Sequence, residues 1–340
     1  MQFSDNFSLY GFTLLRNGLK YDYPFRECLH ALTELCEESF IALGDSEDGT
    51  EAEVKKFQGL TSVETVWDMS LMGDGGKILS QQTNVALEAL RKKHHKGWAI
   101  YLQTDELIHE KDFEQIKKDI ETAAAEGCDA IRFRYYHFWL NHNQIAISKR
   151  WYPQEIRAIK LDSDIVSHGD AQGFIGQSKV YDSDVHIFHY GHVRDEEKRE
   201  AKQELLIKMI RPGEKFKKYK AREEKAFKKT ETLPYYGPHP KWMKERIERF
   251  GDVFEMPEKD VVKVYDPRGI IDEELKARIK TKKLELIPEK ESDSLSLDPN
   301  FKERLGFGPR IPTGMKSPIA RPWSEKQRME FLLWSKGIST

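Results

Sequence analysis

Ser39-Phe40-Ile41-Ala42-Leu43-Gly44-Asp45-Ser46-Glu47-Asp48-Gly49-Thr50 is the stretch that decides the fold class. A short apolar run suited to a buried strand passes without a break into an acidic turn. A second stretch repeats the arrangement, with Trp98-Ala99-Ile100-Tyr101-Leu102 passing into Gln103-Thr104-Asp105-Glu106. In an open α/β sheet, ligands occupy the crevice beyond the carboxyl ends of the strands. Carboxylates placed there can hydrogen-bond a base or ribose, or hold a hard divalent cation that grips phosphate. The pair points to a binder of nucleoside diphosphates.

On the N-terminal side, residues 7–15 are rich in β-formers and end at Arg16-Asn17-Gly18, a turn signal. Phe25, Cys28, Leu29, Leu32, Leu35 and Cys36 then recur at the spacing of an amphipathic helix, with Pro24 early in its first turn. Strand, helix and strand in such close succession form the βαβ unit of a parallel sheet. Further along, a third strand is expected at residues 65–69 and a helix over 79–93, after the loop Gly73-Asp74-Gly75-Gly76. Phe113, Ile116, Ile120, Ala123 and Ala124 mark the next helix, closed by Gly127. Beyond it, Ile131, Phe133 and Tyr135 alternate with Arg132, Arg134 and Tyr136 as in a half-exposed strand. Short strands are expected at 158–161 and 185–190. The expected fold class is therefore α/β: a Rossmann-like, mixed, mostly parallel sheet flanked by helices over residues 1–210, with a helical and irregular C-terminal extension over 211–340.

Composition narrows the function classes. Of 340 residues, 39% are hydrophobic, enough for a core, while 33% are charged, which gives a heavily solvated surface. The mean hydropathy is −0.68, and no apolar run approaches the roughly 20 residues that span a bilayer. Residues 1–6 carry neither the basic region nor the apolar core of a secretory leader. A net charge of −2 gives no argument for a nucleic-acid partner. The three cysteines lack metal-ligand spacing, and Cys28 and Cys36 fall on the apolar helix face, as reduced core residues do. A cytoplasmic protein is expected, with peripheral membrane contact and homo-oligomerisation left open.

In order, the turn at Arg16-Asn17, the acidic turn from Asp45 to Thr50, the Lys77 to Asn84 stretch and the acidic strand end at Asp105 resemble family-2 glycosyltransferases of the GT-A fold. Lys149-Arg150-Trp151-Tyr152-Pro153 and His186-Ile187-Phe188-His189-Tyr190-Gly191 extend the resemblance, which covers roughly residues 7–210. It implies a nucleotide-sugar donor and a glycan, lipid-linked or small-molecule acceptor. It further implies that Asp45 holds the nucleobase, with Arg16, Asp48, Lys77 and Gln103 as further donor contacts. Asp105 matches the last acid of an Asp-x-Asp element, which binds Mg²⁺ or Mn²⁺ between two phosphates. Gln103 departs from that element, since an amide can hydrogen-bond ribose but supplies no charge.

Other readings stand beside these. Asp48-Gly49-Thr50 also suits a turn feeding a helix N-cap, and Lys77 suits a solvated face. Glu106 is either a second metal contributor or, like Glu110, an acid of the next helix's first turn. His186 and His189 lie an odd number of residues apart on one strand, so their side chains take opposite faces. His189 is the expected metal ligand and His186 a core histidine. An inverting transfer needs a carboxylate to accept the acceptor's proton. Asp170, in Ser167-His168-Gly169-Asp170-Ala171-Gln172-Gly173-Phe174, is the expected base, with Asp162 and Asp164 as rivals. The competing classes are a glycosyltransferase-like binding or scaffold protein without catalysis, and a nucleotidyltransferase, whose glycine-rich phosphate loop Arg16-Asn17-Gly18-Leu19-Lys20 barely offers. Residues 211–229 are dense in Lys and Arg. They read as a solvated helix or as a basic surface for anionic lipid, unless Tyr235-Tyr236, Trp242, Phe250 and Trp323 dock back on the domain or on a second subunit.

Overall fold

The computed structural model describes residues 7–146, 151–210, 215–227, 230, 232–235, 237–251, 263–265 and 285–287. Strand β1 (Leu9–Leu15), helix α1 (Phe25–Leu35) and strand β2 (Glu38–Gly44) form the expected βαβ unit. Pro24 stands at the cap of α1, where its missing N–H leaves no bond unmade. The helix buries Phe25, Cys28, Leu29, Leu32 and Leu35 on one face, and extended backbone at Cys36 ends it. Cys28, Cys36 and Cys128 are free and buried.

Helix α2 (Thr50–Val54) follows the acidic turn, and strand β3 (Leu60–Thr65) pairs in parallel with β2. The third strand thus ends where residues 65–69 were expected to begin it. An edge strand of mostly half-exposed residues carries little apolar signature. The nearby apolar residues belong instead to a loop, in which Val66 is exposed and Trp67 is buried.

Helix α3 (Lys77–Lys93) and strand β4 (Trp98–Tyr101) complete the parallel half. β1 is its centre, pairing with β2 on one side and with β4 on the other. Strand β5 (Glu106–Ile108), helix α4 (Phe113–Ala125), strand β6 (Ala130–Trp139) and strand β7 (Gln144–Ala146) come next. Strands β8 (Gln154–Lys160), β9 (Val166–His168), β10 (Gly173–Ile175) and β11 (Val180–His192) follow. β8 sits antiparallel between β4 and β6, and the long β11 runs parallel to β6. Most paired residues of the large sheet lie in its parallel ladders, as the sequence pattern implies.

Period-two alternation divides the core into two layers. Leu9, Ile100, Ile131 and Phe133 meet the apolar stripes of α1 and α4 on one face. Tyr10, Phe12, Phe40 and Tyr101 meet Ala86, Leu87 and Leu90 of α3 on the other. At roughly 25 cal/mol per Å² of apolar surface removed from water, this double burial is the main stabilising contribution.

Packing does not stop at residue 210. Helix α5 (Glu196–Ile210) contacts helix α6 (Lys215–Phe227), and strand β12 (Thr232–Pro234) pairs antiparallel with β7. Tyr235 is buried against Tyr136 and Phe138. Ahead of helix α7 (Lys244–Phe250), Trp242 stacks on Phe113 at 6.0 Å between centroids. Arg246 and Arg249 of α7 grip the Asp22 carboxylate at 2.8 and 3.0 Å. Beyond residue 210, Tyr235, Trp242, Met243 and Ile247 thus pack with Phe138, Phe188 and Tyr190 of the sheet. Lys149, Arg150, Lys228, Lys229, Tyr236, Trp323 and the whole of 289–299 lie outside the described residues. No helix among the described residues is long and apolar enough to cross a membrane.

Candidate functional site

The carboxyl ends of β1 and β4 open into a cavity of about 530 Å³, in the size range of small-molecule sites. Arg16 and Asn17 border it after β1, and Gln103, Thr104 and Asp105 after β4. Asp170 and His189 enter from the second half of the chain. Tyr23, Tyr101, Trp139, Trp151 and Tyr152 supply aromatic wall.

The acidic turn is laced to the β1 turn. Asp45 receives two bonds from Arg16, with Nε to Oδ1 at 3.1 Å and a second guanidinium nitrogen to Oδ2 at 3.4 Å. The Arg16 guanidinium also lies 5.5 Å from the centre of the Trp67 ring. Asp45 thus stands behind Arg16 rather than on the cavity wall, half exposed and anchoring the arginine. Asp48 accepts from the amides of Lys20 at 2.6 Å and Thr50 at 3.0 Å, and from the Thr50 hydroxyl at 2.6 Å. It fastens the start of α2, the turn reading of Asp48-Gly49-Thr50, and does not border the cavity. Lys77 is exposed, pairs with Asp74 at 2.6 Å and is also off the cavity wall.

Gln103 has an occupation that the sequence does not announce. Its side-chain amide donates to the Ala171 carbonyl at 3.1 Å, a bond that an aspartate could not give. Glu106 turns away from the cavity. Arg157 donates to both of its oxygens at 2.8 and 2.9 Å, Tyr135 adds its hydroxyl at 2.9 Å, and the Gln103 amide adds a bond at 3.0 Å. Arg157 and Glu106 are both fully buried, and Arg157 also donates to the Gln172 carbonyl at 2.7 Å. The loop bearing Asp170 is therefore tied to β4 through Gln103 and to β8 through Arg157. From below, a Cβ on Gly76 would lie 2.6 Å from that of Asp170, so only glycine admits the loop so close to the start of α3.

Asp105 and His189 meet as expected, 3.8 Å apart from Oδ1 to Nε2. The partner that sequence reasoning missed is Lys202, on α5. Its ammonium donates to Asp105 Oδ2 at 2.6 Å and to the Gly191 carbonyl at 3.2 Å. Arg194 approaches the same oxygen at 3.8 Å. Burial alone would raise the Asp105 carboxyl, but the positive charges of Lys202 and Arg194 outweigh it and hold it well below the usual carboxylate range. Burial, with Arg194 beside it, pushes the Lys202 ammonium down to about 8 against the opposing pull of Asp105. Burial likewise lowers His137, His189 and His192, which favours neutral imidazoles. His189 bonds to His137 at 2.9 Å between Nδ1 atoms, while His186 stacks on Tyr136 at 4.1 Å. The two histidines take opposite faces, as their spacing requires.

These residues do not fit a divalent ion. Among the described residues no group of three or more His, Cys, Asp or Glu side chains is placed to hold a metal. The one carboxylate available at the strand end already carries an ammonium, with a guanidinium close by. A double positive charge at Asp105 and His189, where Mg²⁺ or Mn²⁺ is expected from the resemblance, would be repelled by Lys202 and Arg194. Lys202 and Arg199 are three apart on one helix and so share the face that borders the cavity, but no local pattern separates Lys202 from the other lysines of that helix.

α6 contributes as well. Tyr219, Glu223 and Phe227, at i, i+4 and i+8, border the cavity, so the lysine-rich helix covers the site rather than leading away from it.

No family model and no curated protein matches the chain. Among solved structures, it is similar to Staphylococcus aureus TarS at 12% identity and a TM-score of 0.34, over 59% of this chain and 39% of that one. For a structure of TarS residues 1–349 the identity is 13% and the TM-score 0.34, over 59% and 64% of the two chains. It is also similar to the 4-diphosphocytidyl-2C-methyl-D-erythritol synthase of Anaerococcus prevotii, at 11% identity and a TM-score of 0.33, over 58% and 100%. The chain thus spans less than two thirds of the length of either TarS structure.

Proposed function

We propose that the chain is a nucleotide-sugar transferase of GT-A type, which moves a sugar from a nucleotide-diphosphate donor to an acceptor hydroxyl with inversion. The observation that carries this reading is that two parallel strand ends, a fixed cation and, from the other half of the chain, a carboxylate border one cavity. An anion such as diphosphate fits the crevice beyond the strand ends, and the acceptor is assigned to the same cavity, which Asp170 and the aromatic wall border. In the step, the acceptor oxygen attacks the anomeric carbon and its proton passes to the Asp170 carboxylate. The bond from that carbon to the phosphate oxygen breaks, and its electron pair leaves on the diphosphate. The transition state has oxocarbenium character, as in glycoside hydrolysis.

Arg16 is assigned to the nucleotide, with Asp45 fixing its guanidinium against Trp67. Thermal-shift and calorimetric titration with a panel of nucleotide sugars tests the reading, and binding of at least one is expected. Asp45→Ala, which frees Arg16, should weaken that binding about tenfold, the effect of losing one charge-assisted bond. A chain that binds no nucleotide sugar, or an Asp45→Ala variant that binds as tightly as wild type, would contradict the assignment.

A further inference from the structure

The strand end that carries Asp105 has been rebuilt around a positive charge. The two positions that correspond to the acids of an Asp-x-Asp element act together. The first position is an amide committed to the Ala171 carbonyl, and the second is a carboxylate committed to Lys202. Gly191 makes the arrangement possible, because a Cβ there would lie 2.4 Å from His189 Nε2 and 3.1 Å from Asp105 Oδ2. Its absence leaves room for His189 and for the Asp105 carboxylate that holds the Lys202 ammonium, which also donates to the Gly191 carbonyl. Arg194, whose side chain is buried, adds a second positive group and has no partner for its Nε among the described residues. Lys202 and Arg199 also border the cavity.

Resting on the donor-site reading above, we infer that Lys202, held in place by Asp105, serves as the fixed cation for the donor's diphosphate, so that donor binding and transfer need no divalent metal. Asp105 is then a positioning residue: its carboxylate aims the ammonium and does not ligate an ion. Lys202 meets the negative charge that gathers on the diphosphate as the bond to the sugar breaks. Because the ammonium is already oriented by two oxygens, little reorganisation is needed when that charge develops.

The test uses the full chain, stripped with EDTA. Nucleoside diphosphates (uridine, guanosine, thymidine, cytidine and adenosine) and the matching nucleosides are titrated by calorimetry in chelator and again with Mn²⁺. Equal diphosphate affinity in both buffers is expected. Lys202→Met should weaken diphosphate binding about 10- to 100-fold, the range of a hydrogen bond to a charged group, and leave nucleoside binding unchanged. Lys202→Arg should recover part of the loss. Diphosphate binding that requires Mn²⁺ would overturn the inference and make Asp105 a metal ligand, with the donor-site reading intact. Unchanged diphosphate affinity in Lys202→Met would overturn it too. Failure to bind any nucleoside diphosphate in either buffer would remove both this inference and the reading it rests on. If Lys202→Met does not fold, the wild-type comparison in the two buffers still decides.

Discussion

Asp170→Asn is expected to lower sugar transfer by about 10²–10⁴-fold, the effect of removing a general base, while donor binding survives. The substitution keeps size and shape, so the Gln103 and Arg157 bonds to Ala171 and Gln172 should hold the loop where it is. What is lost is the oxygen that takes the acceptor's proton. Initial rates at saturating donor and acceptor, with calorimetry of the donor alone, separate the two effects. Asp162 and Asp164 were the rival bases, but neither borders the cavity, and Asp162 lies near Lys160 at 3.7 Å on the surface. Transfer by Asp170→Asn at the wild-type rate would remove Asp170 from the step.

The second large effect is expected from the buried pair beneath the loop. Glu106→Gln leaves the Arg157 guanidinium without its counter-charge in a place with no solvent. Breaking a buried pair in this way costs about 3–5 kcal/mol, measured as a fall in the urea midpoint with an unchanged slope. Replacing both partners, as Glu106→Leu with Arg157→Met, removes the uncompensated charge and should return part of that stability, while the Tyr135 hydroxyl, the Gln103 backbone N–H and the Gln172 carbonyl lose their partners. Transfer should nevertheless remain low in the double variant, because the Gln172 carbonyl has lost its Arg157 bond and the loop carrying Asp170 is no longer fixed. A stable double variant with wild-type transfer would show that the pair serves stability alone.

The parallel half was legible because its signals are local. Apolar periodicity marks β1, α1, β2, α3 and β4, and each strand end that faces the cavity is followed at once by polar residues. The opposite facing of His186 and His189 was legible from their odd spacing on one strand. The site's cation was not. Lys202 lies in a run of charged residues from Asp195 to Lys208, where every lysine looks solvated, and only tertiary packing decides which one is buried. Glu106 and Asp105 are neighbours with the same chemistry, yet one is spent on Arg157 and the other faces the cavity. That choice depends on β8, about 50 residues further along, which no local pattern reports. The stripe of Tyr219, Glu223 and Phe227 in α6 was hidden by the lysines around it.

The most direct measurement of the central claim is the identity of the small product released from the donor. Incubating the protein with labelled nucleotide sugars and simple hydroxyl acceptors, then resolving the products, should show a nucleoside diphosphate formed in step with glycosylated acceptor or with free sugar from slow hydrolysis. Release of pyrophosphate from a nucleoside triphosphate and a sugar phosphate, or no cleavage of any donor that binds, would contradict it.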